Sequence, residues 1–504
     1  MNASTSGNVQ PADGTSFWVY ILVGIVCAIG SIVCYNIYFH PLAKFPGPKS
    51  YAASAIPVAL AQLGGRFHLF TQAAHEKYGS IVRISPNELS IISAGAWDDV
   101  YARRLKNPPL VRDPTFFNDM LVDPRTLTMA DDTNHIRLRK SMNSAFSARA
   151  LAEQEPILKE NVDLFMDKLE ERAQQGLETD LRSWYNYATF DLIGDFAFGE
   201  SFRCLESSQY HEWVQFVLDH FYVATLLQVV HRFRPLNKLL AMLLPASLIE
   251  KKEAHHRMAL DKVRRRVQRD TKRLDFISYM LKTLDTGTIT LDELENQASI
   301  IILAGSETTA VALTFATYFL LVNPQIMDRL LEELHSNFEN EGQIDVLSIN
   351  KLNYLQAVIQ ETLRIAPPIT NGFPRQVPPE GAMIDGHFVP GGSVVNISHW
   401  SAYRSASHFS KPNEFCPERW LGDSLFEGDT KDAFQPFSVG PRNCIGKKFA
   451  NDSMKMTLAK TVWRFKMKLA INTEEWLRDM PSFVSLHQPP LLVSLEPRKP
   501  PSSD

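Results

Sequence analysis

One cysteine lies in a glycine-bounded segment that could hold a metal ion. Cys444 follows Arg442 by two residues, with Phe437 and Gly440 before it and Gly446 after it. Gly440 and Gly446 can take backbone angles that other residues rarely adopt, so the loop could approach a flat group closely. A thiolate held there could be the axial ligand of an iron, which keeps the thiol deprotonated. A free cysteine alone is more often a buried structural residue, so this interpretation needs support from other segments.

A second polar segment interrupts an apolar stretch. The capping box at 290–293 predicts the start of a long helix that should end near Pro324. Inside it, Gly305 would leave room for a flat cofactor or for dioxygen, and Thr308 could bend the helix by bonding back to a carbonyl. Glu307 is a carboxylate among apolar residues and needs a partner or a role. Together these residues could relay protons, although a helix with one polar stripe is the simpler alternative.

Two further pairs have spacings that bring their side chains to one helix face. Glu361 and Arg364 are three residues apart, and His135 and Arg139 are four apart. An exposed ion pair at 361–364 would add little to stability. The pair His135 and Arg139 could bind an anion, or it could belong to a solvated basic face.

Four segments, in this order along the chain, resemble the motifs of the cytochrome P450 family: 304–309, 361–364, Pro417–Trp420 and 437–446. The resemblance implies a mostly α fold with small β-sheets, namely a single large haem domain plus an N-terminal transmembrane helix. It implies haem b as the cofactor and Cys444 as the axial ligand of the haem iron. It also implies that Glu307 and Thr308 are catalytic.

The same resemblance implies roles for residues that do not take part in the chemistry. Glu361, Arg364 and Arg419 would form a structural network that braces the cysteine loop. Relatives often have Trp where this chain has His135, so that residue departs from the pattern. The cofactor-binding residues that the resemblance implies are Phe437, Arg442, Cys444, Gly446, His135, Arg139 and Arg375.

The N-terminal part reads as a membrane anchor. Residues 17–39 carry no charge, and this stretch is long enough for a helix to cross a bilayer. Basic residues follow this stretch and none precedes it, which favours a cytosolic location for the rest of the chain. A cleaved signal peptide would have a basic start and a shorter apolar core.

These observations give the predicted organisation and location. Residues 1–16 form a short lumenal N-terminus, with Asn2 as a weak glycosylation acceptor. The transmembrane helix spans 17–39, a proline-rich hinge spans 40–49, and the haem-thiolate monooxygenase domain spans 50–504. The resemblance to microsomal enzymes implies a single-pass protein of the endoplasmic reticulum membrane.

Composition and missing motifs narrow the function classes. The chain has 504 residues, 45% of them hydrophobic, and a net charge of −4, so nothing indicates nucleic-acid binding. Its five cysteines form no CxxC pair, which disfavours zinc and a disulfide framework. The usual signatures of hydrolases, zinc proteases, dinucleotide-binding enzymes and P-loop NTPases are absent from the sequence.

The resemblance implies oxidation of a lipophilic small molecule by dioxygen, with electrons from NADPH–cytochrome P450 reductase and cytochrome b5 as a second candidate donor. Residues 35–49 are similar to fungal enzymes of secondary metabolism, especially trichothecene-pathway hydroxylases. Two alternatives stay open, a haem-thiolate isomerase or dehydratase and a non-enzymatic membrane haem-binding protein. The intact pair Glu307 and Thr308 favours the monooxygenase.

The substrate cavity is predicted to be mainly apolar, which suits a terpenoid, a polyketide or a similar scaffold. A basic docking face for the reductase is predicted at Arg137, Lys140, Lys447 and Lys448. The segments expected to line the cavity are 106–130, 208–248, 304–309, 368–373 and 483–486, with Phe116, Phe117, Phe373 and Phe483 as aromatic walls.

Overall fold

A computed structural model of the chain describes residues 14–102, 110–116, 125–233, 237, 239, 246–269, 274–472, 476–478 and 480–498. At 14–16, at 212–220 and in much of 246–259, only the backbone is described. Most of the predicted lumenal segment, including Asn2, lies outside the described residues, as do Phe117 and parts of the segments 106–130 and 208–248.

Helices make up most of the described chain, as the sequence predicts. They are α1 Gly14–Cys34, α2 Lys49–Ala53, α3 Ile56–Leu63, α4 Phe67–Tyr78, α5 Ala96–Tyr101, α6 Asp132–Met142, α7 Ala148–Glu153, α8 Glu155–Gln174, α9 Leu181–Phe198, α10 Cys204–Ser207, α11 Glu212–Arg232, α12 Ala246–Gln268, α13 Phe276–Asp285, α14 Leu291–Gly305, α15 Glu307–Val322, α16 Pro324–Asn337, α17 Val346–Ile349, α18 Asn353–Ile365, α19 His399–Tyr403 and α20 Lys447–Arg464.

The strands are short and form small sheets. They are β1 Ile81–Ser85, β2 Glu88–Ile91, β3 Val111–Arg112, β4 Thr179–Asp180, β5 Arg375–Gln376, β6 Ala382–Ile384, β7 His387–Val389, β8 Val394–Ile397, β9 Phe465–Leu469, β10 Ser482–Phe483, β11 Ser485–Leu486 and β12 Leu492–Pro497. The largest sheet has the order β1-β2-β8-β5-β3, and β4-β12-β9 form a second sheet. The hairpin predicted at 81–92 is confirmed by the antiparallel pairing of β1 with β2.

The predicted anchor is helical, and most of its side chains are exposed. Residues Phe17–Phe39 form an apolar helix of 23 residues with 0% of its length buried, continuing from α1 into a π-helical turn. Such a helix is long enough to cross a bilayer. The second long apolar stretch, Leu291–Val322, is mostly buried and forms the centre of the domain.

The segment predicted as a hinge packs against the domain. Leu42 is fully buried, and the N–H of Arg83 in β1 donates to the carbonyl of Pro46 at 2.8 Å. The Arg83 guanidinium also donates to the Asn36 carbonyl at 2.8 Å, at the foot of the anchor helix. The prolines therefore lead the chain into a docked position, which differs from a free linker.

The central helix begins and ends where the sequence predicts. Thr290 Oγ1 accepts from the N–H of Glu293 at 3.2 Å, and the Glu293 carboxylate accepts from the N–H of Thr290 at 3.0 Å. The helix is interrupted at Ser306, which separates α14 from α15. There, the hydroxyl of Ser306 donates to the carbonyl of Ile302, and this kind of side-chain bond bends helices.

The predicted network around Glu361 is present and completely buried. Glu361 receives two hydrogen bonds from Arg364, at 2.8 and 2.9 Å, and Arg419 lies 3.3 Å from the same carboxylate. All three side chains are 0% exposed. Asp429, which the sequence did not suggest, pairs with the far side of Arg419. One carboxylate alone would leave two buried arginines undercompensated, so Asp429 completes the charge balance.

Replacing Glu361 with Gln should destabilise the fold. The variant removes the negative charge that lies between two buried guanidinium groups. Breaking such a buried ion pair costs roughly 3–5 kcal/mol. Urea unfolding followed by circular dichroism should show an earlier midpoint. Glu414→Ala is the matched control, because that carboxylate is exposed and pairs with the exposed Lys411. Equal midpoints for the two variants would contradict the structural role of Glu361.

Candidate active site

The cysteine loop is held by its own backbone and by a close neighbour. The N–H of Cys444 donates to the carbonyl of Phe437 at 2.9 Å. Gly440 has φ +76°, and a Cβ there would lie 2.1 Å from the carbonyl oxygen of Tyr101. Only glycine fits this position, as predicted. Gly446 differs from the prediction, because its φ of −84° and ψ of 7° are open to any residue.

The pKa of the Cys444 thiol is raised overall, although several neighbours favour the thiolate. Burial of the loop raises the pKa of the thiol, while the N–H of Gly446 and the charges of Arg139 and Lys447 lower it. Helix α20 begins at Lys447, so its positive end also lies close to the sulfur. The side chain of Cys444 is itself exposed, so the sulfur is accessible to a ligand.

The helix that packs against α20 carries the acid and the alcohol. Glu307, at the start of α15, is 4% exposed, and its Oε2 has no hydrogen-bond partner among the described residues. Burial raises the pKa of Glu307 to about 7, and Arg182 works in the opposite direction. The Thr308 hydroxyl donates to the carbonyl of Ala304 at 2.9 Å.

Gly305 has a packing role that the sequence did not predict. A Cβ at Gly305 would lie 2.7 Å from Cδ1 of Ile193 in α9, so the missing side chain allows two helices to approach. The neighbouring Ala304 is exposed although most of the central helix is buried. The open side of the helix is therefore at Ala304.

Basic side chains gather at one edge of this region. Arg375 in β5 is 6% exposed and lies with its guanidinium 5.1 Å from the ring centroid of Tyr101. Arg112 in β3 stands directly opposite Arg375 in the sheet register. The pKa of Arg112 is lowered to about 9, mainly by burial and also by the positive charges of Arg442 and Arg375.

The predicted anion-binding residues of α6 and of the loop join this cluster in different ways. His135 is buried, and its pKa falls to about 4 through burial and the charges of Arg442, Arg139 and Arg112. Arg139 donates to the backbone oxygen and the side-chain oxygen of Asn443, at 2.6 and 2.8 Å, so it braces the cysteine loop.

Arg442 donates to Asp132 at 2.7 Å and to the carbonyl of Ala130 at 3.0 Å. Like charges directly opposite each other destabilise a sheet, as at Arg112 and Arg375, so the cluster is suited to an anionic partner. An accessible cysteine, an open stretch of helix at Ala304 and a basic edge fit a flat cofactor with carboxylate groups, such as haem.

Arg112 is the member of this cluster that the sequence did not reveal. It is a single basic residue in a two-residue strand, and no periodicity marks it. Only the pairing of β3 with β5 brings it to Arg375. Within the predicted docking face, Arg137 pairs with Glu293 and donates to the carbonyl of Thr288 at 3.0 Å.

A cleft opens beside the largest sheet, and its walls come partly from the predicted cavity segments. Phe116, Thr225, Thr370 and Val484 represent four of those segments. More of the lining surface is apolar than polar, in line with the prediction, but charged and amide side chains also contribute to it. The polar residues of the lining include Gln62, Glu88, Asp113, Arg232, Asn371 and Asn396.

Comparison with known proteins agrees with this geometry. The family described as Cytochrome P450 matches residues 47–495. The cytochrome P450 monooxygenase astD of Aspergillus oryzae is 60% identical over 479 residues, covering 95% of this chain and 94% of that protein.

A second relative bears on the predicted subgroup. The trichothecene C-15 hydroxylase of Fusarium sporotrichioides is 39% identical over 472 residues, covering 93% of this chain and 95% of that protein. The predicted similarity to fungal enzymes of this type is therefore confirmed. With a family match over nearly the whole domain and relatives that share its length, the chain belongs to the cytochrome P450 family of haem-thiolate monooxygenases.

Proposed function

We propose that this monooxygenase oxidises a lipophilic metabolite in a tailoring step of fungal secondary metabolism, with Cys444, Glu307 and Thr308 in the central roles. The observation that carries the proposal is the pair Glu307 and Thr308 at the interruption of the central helix. A haem-thiolate isomerase or dehydratase has no need of a proton relay, and neither has a haem-binding scaffold. The names of astD and the trichothecene C-15 hydroxylase support the same class of reaction.

The residues that would hold the haem come from three parts of the fold. Cys444 would bind the iron from the loop before α20, and Arg112, His135, Arg375 and Arg442 would face the propionates. When bound, the haem supplies activation of dioxygen and transfer of one oxygen atom to the substrate. Arg139 positions the loop through Asn443 and stabilises the thiolate with its charge.

Glu307 and Thr308 would manage protons. A carboxyl with a pKa of about 7 can hold a proton and release it near neutral pH, which is the requirement for efficient general acid catalysis. The Thr308 hydroxyl uses its hydrogen on Ala304, so its oxygen lone pairs face away from that bond and can accept. The acid therefore supplies the proton and the alcohol orients a hydrogen-bonded group beside the open stretch at Ala304.

The anchor and the exposed lysines suggest where the partners bind. The helix Phe17–Phe39 would hold the protein in the endoplasmic reticulum membrane, with the catalytic domain in the cytosol. NADPH–cytochrome P450 reductase would dock near Lys140 and Lys447, both of which are exposed. Lys448 is half-exposed and pairs with Asp452 at 2.7 Å, so it contributes less free positive charge.

Substitution of Cys444 should remove the thiolate signature. Cys444→Ser should lose the red-shifted Soret band of the reduced carbon monoxide complex, because a hydroxyl at this position is not ionised as a thiolate is. Absorption spectroscopy of the purified full chain measures this. Cys416→Ser is the matched control, since Cys416 is a free cysteine outside the loop. A retained red-shifted band in Cys444→Ser would refute the assignment of the ligand.

Substitution of Thr308 should reduce product formation in the source fungus. Deletion of the gene should remove one metabolite and accumulate a precursor that contains one oxygen atom fewer. Complementation with the Thr308→Val gene should restore about one-hundredth of the wild-type product, the usual scale of a lost proton-transfer group. Metabolite profiling by mass spectrometry measures both compounds.

Thr309→Val is the matched control for this experiment, because the Thr309 hydroxyl donates to the carbonyl of Gly305 at 3.1 Å within the same helix. It should restore the metabolite fully. Full restoration by Thr308→Val would contradict the proposed role of the alcohol. An accumulated precursor with the same formula as the product would instead indicate an isomerase.

The raised pKa of Glu307 predicts a pH dependence of stability. The folded protein holds this proton up to about pH 7, whereas the ordinary pKa of a glutamate carboxyl in an unfolded chain is 4.5. Between these values the folded state binds more protons, so stability falls as the pH rises. Relative to Glu307→Gln, the free energy of unfolding of the wild type should therefore fall by roughly 3 kcal/mol between about pH 5 and about pH 8.

Urea unfolding of both proteins at several pH values measures this difference. Glu293→Gln is the control, because hydrogen bonds from Arg137 lower the pKa of Glu293. That carboxylate is ionised in the folded and the unfolded chain across this range. The difference in unfolding free energy between Glu293→Gln and the wild type should therefore stay constant. A constant difference for Glu307→Gln as well would refute the protonated state of Glu307.

A further inference from the structure

The cleft beside the largest sheet is open to solvent and lies next to a residue that also contacts the cysteine loop. Aromatic, aliphatic, amide and charged side chains line it. A Cβ on Gly372 in its wall would lie 2.5 Å from the Tyr101 hydroxyl, and the Tyr101 carbonyl abuts Gly440. Tyr101 therefore bridges the cleft and the loop that carries Cys444.

One side of the cleft is a polar wall, formed by Gln62, Glu88, Arg232 and Asn396. Arg232 in α11 donates to Glu88 Oε2 at 2.6 Å and to Gln62 Oε1 at 2.8 Å. Asn396 in β8 donates from Nδ2 to Glu88 Oε1 at 3.1 Å. Glu88 is therefore held on both of its oxygens, and the wall is rigid before any ligand binds.

The polar wall has one free acceptor. Asn396 is 3% exposed, and its Oδ1 is buried without a hydrogen-bond partner among the described residues. The orientation of its amide is fixed, because an ionised carboxylate such as Glu88 can only accept and must face the NH2 group. Buried amide oxygens nearly always have a partner, so this oxygen is suited to a donor that enters the cleft. Asn371 Oδ1, also in the lining, is a second buried acceptor without a partner.

The charges of the cleft select against an anion. Arg232 already binds Glu88 and Gln62, so its charge is satisfied within the wall. Asp113 adds a second carboxylate, which accepts from the N–H groups of Thr115 and Phe116 at 3.2 Å each. Two carboxylates and one guanidinium face this space, which disfavours carboxylate or phosphate ligands. A hydrogen-bond donor without negative charge is the group that fits, and a hydroxyl is such a donor that a lipophilic substrate can carry.

We propose that the substrate bears a hydroxyl group, which donates a hydrogen bond to Asn396 Oδ1 while its apolar skeleton contacts Phe67, Phe116 and Val484 of the same cleft. This proposal rests on the proposed function and narrows the substrate to an already oxygenated lipophile. A reaction that introduces or unmasks a hydroxyl must therefore precede this step. The bound hydroxyl fixes one end of the skeleton, and so limits which carbon atoms reach the reacting centre.

Ligand titrations of the wild-type full chain test the proposal directly. The probes are cedrol and farnesol, one rigid and one flexible sesquiterpene alcohol, each paired with its methyl ether. The ether keeps the oxygen and the skeleton but has no proton to donate. The shift of the Soret band gives each dissociation constant. Each alcohol should bind about tenfold more tightly than its ether, the scale of one buried hydrogen bond.

Variants then locate the acceptor. Asn396→Leu should bring the alcohol and the ether to equal affinity by weakening only the alcohol. Asn337→Leu is the matched control, because Asn337 is exposed at the end of α16, and it should keep the preference. A missing red-shifted carbon monoxide band in Asn396→Leu would show that this variant does not fold. The comparison of alcohol and ether in the wild type would then still test the proposal.

Two outcomes would overturn the proposal. Neither alcohol binding more tightly than its ether would mean that the cleft holds ordered water only. A preference that persists in Asn396→Leu would place the acceptor elsewhere. The proposed function fails separately, by the absence of NADPH-dependent oxygen incorporation in the presence of a reductase, and that result would leave the measured binding preference unchanged.

Discussion

The carboxylate of Glu361 is the interaction on which the geometry of the cysteine loop depends. Arg364, which it holds, also donates to the carbonyls of Tyr403 and Pro412, each at 2.7 Å. The Tyr403 hydroxyl accepts from the N–H of Gln435 at 3.2 Å, two residues before Phe437. One buried anion thus fixes a helix, an extended segment and the start of the loop together. A surface ion pair could not do this, because solvent would screen it and its side chains would move.

The sequence predicted the parts whose physics is local. The capping box at Thr290 and the proline at 324 mark the helix ends through backbone chemistry within four residues. The hairpin at 81–92 follows from alternation around a turn. The motif around Cys444 is a short string whose glycine at 440 is required by one contact. Each of these features depends on neighbours in sequence, so each was visible without the fold.

The parts that were missed depend on distant pairings. Arg112 faces Arg375 only because β3 pairs with β5, and none of the 262 residues between them indicates that register. Asp429 reaches Arg419 only through the irregular segment that follows Pro417–Trp420. The predicted role of Gly305 was incomplete for the same reason, since Ile193 approaches from another helix. Composition could not show the polar wall either, because its members come from α3, β2, β8 and α11.

The proposed proton handling and the proposed substrate recognition would use two separate groups of side chains. Glu307 needs burial for its proposed role, because desolvation is the main cause that raises its pKa to about 7. Asn396 would also act while buried, as a neutral acceptor whose NH2 group is held by Glu88. Placing both in one pocket would expose Glu307 to the charges of Glu88, Asp113 and Arg232, which would shift its pKa. A polar wall beside the sheet and an isolated acid on the central helix let specificity change without disturbing the chemistry.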